Sequence, residues 1–101
     1  MELIIRRRAA YAIQEIFARY EGEQPGLGFE FLNCIEAATS AIARSPETSP
    51  EFYLQFRRRQ LRRFPYSLYY RVFESFIVLA VIFHSNRNPN ELYSLLEDTG
   101  T

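Results

Sequence analysis

The spacing of apolar residues changes once along this chain, and that change constrains the fold more than any other feature. Before residues 45–50 apolar residues recur every three or four positions, and after them they recur every second position. The first spacing is typical of amphipathic helices and the second of strands. Ser45-Pro46 and Ser49-Pro50 mark a loop at the change, because proline interrupts both kinds of element. The sequence therefore predicts helices first and a sheet second.

The helical half contains two apolar stripes separated by Gln24-Pro25-Gly26. The first stripe consists of Ala9, Ile13, Ile16, Phe17 and Tyr20, and the second, in a helix from about Gly28 to Arg44, consists of Phe31, Cys34, Ile35, Ala38 and Ile42. A short Pro/Gly turn between two helices predicts an antiparallel helical hairpin. Its combined apolar face must be covered by another layer of the fold.

Three strands are predicted in the second half. Residues 66–73 alternate, with Tyr66, Leu68, Tyr70 and Val72 on an apolar face and a mixed face opposite. Residues 76–83 are apolar at both parities, as expected for a central strand that is buried on both faces. A further strand is expected over residues 56–64, where Pro65 ends it.

The two ends of the chain add short elements. Leu3-Ile4-Ile5 is long enough only for an edge or joining strand, and Asn90 is placed to cap a brief C-terminal helix through Leu95-Leu96. The sum is an α+β fold, in which a short N-terminal strand and a helical hairpin pack on a small, mainly antiparallel sheet. We expect residues 1–101 to form a single domain.

Composition excludes several functional classes. Cys34 is the only cysteine and His84 the only histidine, so no intrachain disulfide or zinc site is expected, and no cofactor is expected either. The longest uncharged apolar run, residues 76–83, is far shorter than the roughly 18 residues of a membrane span. At the N-terminus the apolar residues precede the basic ones, the reverse of a signal peptide. We expect a soluble, cytoplasmic protein.

An arginine-rich stretch raises the question of function. Residues 57–71, "RRRQLRRFPYSLYYR", contain six arginines, three tyrosines and no acid, and every basic residue of the chain is arginine. Arginine forms planar, bidentate contacts with phosphate and carboxylate. The stretch could bind RNA, dock an acidic partner or form a solvated sheet face. Because strand side chains alternate, two or three of the arginines are expected to be solvated whatever the function.

Four sequence blocks carry a resemblance to a known family. Tyr20 precedes "QPGLGFEFL" (24–32), "SP" closes the second helix, and "RRFPYSLYYRV" (62–72) and "IVLAVIFHSNRNP" (77–89) follow in order. In this arrangement the chain resembles the RelE/ParE superfamily of type II toxin–antitoxin toxins, in its ParE-like, plasmid-stabilisation branch. The resemblance implies a β-α-α-β-β-β fold. It also implies a growth-inhibiting toxin that a cognate antitoxin neutralises in a hetero-oligomeric complex.

The branches of that family differ in their action. RelE-like members cut mRNA in the ribosome, whereas ParE-like members poison DNA gyrase by binding it. The resemblance matches Arg87 to a phosphate-binding arginine of the cutting members and Tyr93 to their C-terminal tyrosine. However, Ser67 stands where they carry a phosphate-stabilising arginine, and this chain has no lysine.

Proton transfer is the second difficulty for a ribonuclease. Arginine is a poor proton acceptor near neutral pH, and His84 alone has an unperturbed pKa suited to a general base. A ribonuclease would therefore use Arg87, Tyr93 and His84. The competing interpretation is that His84 bonds to a neighbouring loop and that Tyr93 anchors the last helix.

The sequence favours a toxin that binds its target, DNA gyrase. The alternatives are a ribosome-dependent mRNA endoribonuclease and an attenuated member that binds only its antitoxin. The residues expected to bind the target or the antitoxin are Arg57, Arg58, Arg59, Arg62, Arg63, Tyr69, Arg71 and Arg87.

Overall fold

Residues 1–99 are described by the structure, a computed structural model. The helices are α1 (Arg7–Glu23), α2 (Leu27–Arg44) and α3 (Pro89–Thr99), and the strands are β1 (Glu2–Ile5), β2 (Glu51–Tyr53), β3 (Phe56–Gln60), β4 (Tyr66–Val72) and β5 (Phe76–His84). The strands form one sheet in the order β1-β5-β4-β3-β2, in which only β1 and β5 run parallel. The α+β fold with a helical hairpin and a mainly antiparallel sheet is confirmed, and β1 lies at an edge.

The helical hairpin covers one face of the sheet, here called the hairpin face. At its centre Phe31 is fully buried, with ring centroids 5.5 Å from Phe64, 5.8 Å from Tyr20 and 5.9 Å from Tyr66. Burial raises the pKa of Tyr20, and nearby Tyr66 raises it further. Arg19 on α1 also donates a 2.6 Å hydrogen bond to the Tyr66 hydroxyl. The apolar spacing of both helices is therefore explained by this shared core.

The turn between α1 and α2 explains the block "QPGLG". Gly26 has a φ of 92°, a left-handed conformation that glycine adopts without steric cost. The two carboxylate oxygens of Glu21 accept 2.9 Å hydrogen bonds from the backbone N–H groups of Gly26 and Gly28, which satisfies the start of α2. A Cβ on Gly28 would lie 2.7 Å from the Phe17 carbonyl oxygen. The hairpin therefore closes tightly because residue 28 has no side chain.

A second layer, α3, covers part of the opposite sheet face, here called the α3 face. Leu92 and Leu96 pack there against Tyr69, Phe83 and neighbouring apolar residues. Consequently the β4 face that the sequence predicted as mixed is buried, with Tyr69 4% and Ser67 8% exposed. The spacing within β4 could not show this burial, because the covering helix begins 17 residues after β4 ends.

Two strand predictions need correction. Strand β2 was not expected, and β3 ends at Gln60 instead of residue 64. Beyond Gln60 the chain turns inward: Leu61 and Phe64 enter the core of the hairpin face, and the Leu61 N–H donates to the Tyr66 carbonyl at 2.9 Å. Arg63 takes a φ of 71° in this turn. Burial of two apolar side chains thus replaces continued strand pairing.

Two smaller features also differ from expectation. Tyr69 pairs with Val81 but Tyr70 pairs with Leu79, so Ala80 is an extra residue in β5, and Ala80 and Val81 both pack on the α3 face. Asn88, not Asn90, caps α3: its Oδ1 accepts a 2.9 Å hydrogen bond from the Asn90 N–H. The following Pro89 occupies the first helical position, where proline is favoured.

Within residues 1–99, no helix is both long and apolar enough to cross a membrane.

Candidate functional site

A cavity of about 390 Å³ opens on the α3 face, between the ends of β3, β4 and β5 and the start of α3. This arginine cavity brings together six residues that the sequence analysis singled out, which are Arg58, Ser67, Tyr69, His84, Arg87 and Tyr93. Its lining residues include two arginines and no carboxylate. The cavity therefore favours an anionic ligand or partner.

Strand parity separates the three arginines of β3. Arg58 pairs with Tyr69 and lies on the α3 face, with its guanidinium carbon 4.8 Å from the centroid of the Phe52 ring. Arg57 and Arg59 pair with Tyr70 and Leu68, which belong to the hairpin-face core. Alternation therefore assigns only one of these three arginines to the arginine cavity.

Arg87 forms the rim of the arginine cavity where β5 leads into α3. Its guanidinium carbon lies 4.6 Å from the centroid of the Phe83 ring, and its Nη2 is 2.8 Å from a Glu91 carboxylate oxygen. Both members of this ion pair are about half exposed, so water screens the attraction and the pair is easily exchanged. Arg87 can therefore leave Glu91 for a phosphate or carboxylate supplied from outside.

Aromatic contacts hold α3 against β2 at the other side of the arginine cavity. The Tyr93 ring is parallel to Phe52 with centroids 6.0 Å apart, and it meets Tyr53 edge-on at 4.8 Å. The Tyr53 hydroxyl donates a 2.7 Å hydrogen bond to Glu97 on α3. This hydrogen bond raises the pKa of Tyr53, because it favours the protonated hydroxyl. Tyr93 therefore helps to hold α3 against the sheet while the residue remains 36% exposed.

His84 is positioned by a turn. Its Nδ1 accepts a 2.9 Å hydrogen bond from the Asn86 N–H, and its ring meets Tyr66 edge-on at 4.9 Å. An Nδ1 that accepts this bond assigns the proton of the neutral ring to Nε2. In that state Nε2 donates and does not accept a proton. A role as general base would require His84 to break its bond to the turn.

Ser67 lies in the lining of the arginine cavity, with Gln60 and Phe83 as its strand partners. Its hydroxyl offers one weak donor where a third cation would strengthen phosphate binding. A phosphate in this cavity would be met by Arg58 and Arg87 together with the Ser67 hydroxyl.

Three other predicted binding arginines contact the chain itself. Arg63 pairs with Glu30 at 2.5 Å, and Arg57 donates to the Ser49 carbonyl at 2.7 Å. Arg71 donates to Gln55 at 2.9 Å, with its guanidinium carbon 5.1 Å from the centroid of the Phe73 ring. None of the three lines the arginine cavity.

A second concave surface lies between α2 and the end of β3. This arginine groove, about 250 Å³ in volume, has Arg44, Arg59 and Arg62 around a floor of small residues that includes Cys34, Ala37 and Ala41. Among residues 1–99, these three arginines have no ion-pair or side-chain hydrogen-bond partner. Their uncompensated positive charge is available to an acidic partner.

Sequence reasoning missed two contributors to these surfaces. Arg44 ends α2, where a basic residue is expected for the helix dipole alone, so nothing in the sequence indicated that it joins Arg59 and Arg62. Phe52 supports both Arg58 and Tyr93, but it belongs to β2, which the sequence did not predict. Both contributions depend on contacts between distant parts of the chain.

No group of three or more His, Cys, Asp or Glu side chains in the described part of the chain is arranged to hold a metal ion. Cys34 is half-buried and packs beside the hairpin-face core.

Comparison with known proteins gives a clear likeness among solved structures. No protein-family model and no curated protein matches the chain. Among solved structures, a chain of the "Chromosomal ParDE TA system from P. aeruginosa" matches with a TM-score of 0.72 and 21% sequence identity. The match covers 83% of this chain and 95% of that chain. This protein therefore shares the fold of a chain from a toxin–antitoxin system, and the fold implied by the sequence resemblance is confirmed.

Proposed function

We propose that this protein, with its ParDE-type fold, is the toxin component of a type II toxin–antitoxin system and is neutralised by a cognate antitoxin. The match to the ParDE chain supports this, because it extends over 95% of that chain and leaves little of that fold unaccounted for. The four ordered blocks of the sequence support it independently, since they lie in order at the α1–α2 turn, just after α2, on β4 and on β5.

The proposed action is binding to DNA gyrase without chemistry on RNA. One observation carries this choice: the arginine cavity supplies cations but no free proton acceptor. The guanidinium groups of Arg58 and Arg87 carry N–H donors and no acceptor, and the Nδ1 of His84 is occupied by the Asn86 N–H. General base catalysis typically contributes 10²–10⁴-fold to such reactions, so its loss leaves a surface suited to binding.

A ribosome-dependent mRNA endoribonuclease is the second candidate. It is favoured by the placement of Arg87, Tyr93 and His84 around a single cavity with Arg58. Two arginines and a tyrosine can hold a phosphodiester, and Ser67 stands where a third cation would be expected.

An attenuated member would keep the antitoxin surface and lack the action on a target.

We propose the arginine groove as the antitoxin surface. Arg44, Arg59 and Arg62 present uncompensated charge, and the small side chains of Cys34 and Ala41 leave room for a packed helix. An acidic amphipathic helix fits this combination, because carboxylates form strong paired hydrogen bonds with arginine while its apolar face covers the groove floor.

The antitoxin surface is tested by binding of a cognate antitoxin, which the proposal expects to be encoded next to this gene. We expect Arg59→Ala with Arg62→Ala to weaken binding at least about tenfold, since charge-assisted hydrogen bonds are lost. The matched control is Arg7→Ala with Arg8→Ala, which removes the same charge from exposed positions on α1. Equal weakening by both double variants would show that net charge, not the groove, attracts the antitoxin.

The cellular target is tested by inducing the toxin without antitoxin. Plasmid supercoiling and primer extension of cellular mRNA are measured in the same cultures. We expect supercoiling to fall, or gyrase–DNA cleavage complexes to form, while transcripts stay intact. Codon-phased cuts in mRNA without a change in supercoiling would instead support the endoribonuclease. An absence of any growth defect would leave the attenuated, antitoxin-binding form.

Arg87→Ala, measured in the same experiment, tests whether Arg87 contacts the target. Arg87 lies on the rim of the arginine cavity and its ion pair is half exposed, so its removal should leave folding intact and reduce toxicity. Toxicity equal to that of the unmodified toxin, at equal protein levels, would exclude Arg87 from the target surface.

A further inference from the structure

β1 and β2 are the two edge strands of the sheet. Within residues 1–99, no strand pairs with the outer side of β1. Ile4 and Ile5 are 43% and 39% exposed there. An edge strand with unpaired N–H and C=O groups is a template for another strand, and proteins usually blunt such edges with bulges, prolines or a covering segment. The Glu2–Ile5 strand contains no proline, and its pairing with β5 shows no bulge.

The backbone orientation of β1 determines which residues can form new hydrogen bonds. The Arg6 N–H donates to the Leu79 carbonyl at 3.0 Å, and Ile5 is paired with Leu79 in parallel register. Successive residues along a strand direct their N–H and C=O groups to opposite edges. Because Arg6 points toward β5, Ile4 points toward it as well, and Leu3 and Ile5 direct both of their groups outward.

One antiparallel register between two copies of β1 satisfies all of these outward groups. When Leu3 of one copy lies opposite Ile5 of the other, each of the two equivalent pairs exchanges two hydrogen bonds. The same register places Ile4 against Ile4 on the two-fold axis. It also places Glu2 opposite Arg6 at both ends, so opposite charges meet twice.

Neighbouring registers lose these matches. A shift by two residues in one direction places Leu3 opposite Leu3 and Glu2 opposite Ile4. A shift in the other direction places Ile5 opposite Ile5, and then Ile4 faces Arg6 while Leu3 faces Arg7, which is already helical. Both shifts separate Glu2 from Arg6. Backbone pairing, apolar contact and charge therefore select a single arrangement.

We propose that two copies of this chain associate through antiparallel pairing of β1, which joins their five-stranded sheets into one continuous ten-stranded sheet. A second copy fits this edge because Glu2 and Arg6 of an identical, antiparallel strand complement each other at both ends. The contact is short, so the expected affinity is weak, with a Kd in the micromolar range or above (about 1 μM to 1 mM). This inference does not depend on the proposed toxin function.

The experiment measures the association constant of the purified chain by sedimentation equilibrium at low salt. Glu2→Arg should weaken association about tenfold, because it replaces two attractive cross-strand charge pairs by two repulsive ones. Adding Arg6→Glu to Glu2→Arg should restore association, because the charges are then exchanged and matched again. Circular dichroism of each variant verifies that the monomer fold is unchanged.

A second variant tests the apolar contact. Ile4→Arg places two like charges on the two-fold axis and should abolish association, whereas Tyr11→Arg, at a position 65% exposed on α1, should leave association within about twofold of wild type. A wild-type chain that stays monomeric up to about 1 mM would overturn the proposal. So would a dimer that Glu2→Arg does not weaken, or that Glu2→Arg with Arg6→Glu does not restore.

Discussion

The two faces of the sheet are covered in different ways. The hairpin face lies under α1 and α2, of 17 and 18 residues, and its core is built of interlocking aliphatic and aromatic side chains. The α3 face lies under α3, of 11 residues, which leaves the arginine cavity beside it. Most of the apolar burial is therefore concentrated on one face, and the other can keep charged side chains next to aromatic rings.

The arginines differ between the faces as well. On the α3 face, Arg58 and Arg87 lie over the rings of Phe52 and Phe83, which hold the cations in place and leave them accessible. On the hairpin side, Arg59 and Arg62 surround a floor of small residues. One surface offers pre-positioned cations, and the other offers a groove that a helix can enter. This difference underlies our proposal that the two surfaces bind different partners.

The largest expected effects come from truncating one core residue on each face. Phe31→Ala should reduce the free energy of unfolding by about 3–5 kcal/mol, because Phe31 joins both helices to the sheet. Leu96→Ala, equally buried under α3, should cost about 2–5 kcal/mol but mainly release α3. Urea unfolding and amide hydrogen exchange distinguish the two outcomes.

Amide hydrogen exchange distinguishes the Leu96→Ala variant from the Phe31→Ala variant. Leu96→Ala should accelerate exchange in α3 and β2 while α1 and α2 stay protected, and Phe31→Ala should accelerate exchange throughout. Equal loss of protection in both helical layers of the Leu96 variant would mean that the two faces unfold as one unit.

Gly28→Ala tests the close helix crossing on the hairpin face. Its new Cβ would meet the Phe17 carbonyl oxygen at 2.7 Å, and the backbone must move, so we expect a loss of about 1–3 kcal/mol in the free energy of unfolding. Gly22→Ala is the matched control, because a Cβ there has open space and α1 gains up to about 1 kcal/mol from the better helix former. If both variants are equally stable in urea, the tight crossing is not required.

Ser67→Arg tests whether the α3 face is a phosphate-binding surface that lacks one cation. The added guanidinium should join Arg58 and Arg87 at the arginine cavity and raise affinity for a short single-stranded RNA about tenfold. Ser94→Arg adds the same charge at an exposed position of α3 and serves as the control. Fluorescence anisotropy showing the same gain for both variants would attribute it to net charge.

The smallest expected effect concerns the β2–β3 turn on the α3 face. Leu54 and Gln55 have φ values of 50° and 66°, the conformation of a turn that asparagine tolerates better than leucine. Leu54→Asn should therefore raise the free energy of unfolding by about 0.5 kcal/mol. A lower midpoint in urea would show that the 48% exposed Leu54 side chain contributes packing that outweighs its backbone strain.

The sequence predicted the hairpin face well and the α3 face poorly. The helices, the Pro/Gly turn and the apolar side of β4 follow from local spacing, and Pro25-Gly26 indicated the turn directly. The cover over Tyr69 and Ser67 depends on how α3 returns to the sheet, which no local pattern encodes. Residues 57–71 likewise resembled one continuous stripe, but alternation and the inward turn after Gln60 divide it among three environments.

The central claim is that the arginine cavity binds a target and does not cut RNA. The most direct measurement adds the purified chain to a gyrase supercoiling reaction and, in parallel, to translating ribosomes whose mRNA is mapped by primer extension. We predict that supercoiling is inhibited, that mRNA stays intact, and that Arg87→Ala weakens the inhibition. Cleaved mRNA together with unaffected gyrase would contradict the claim.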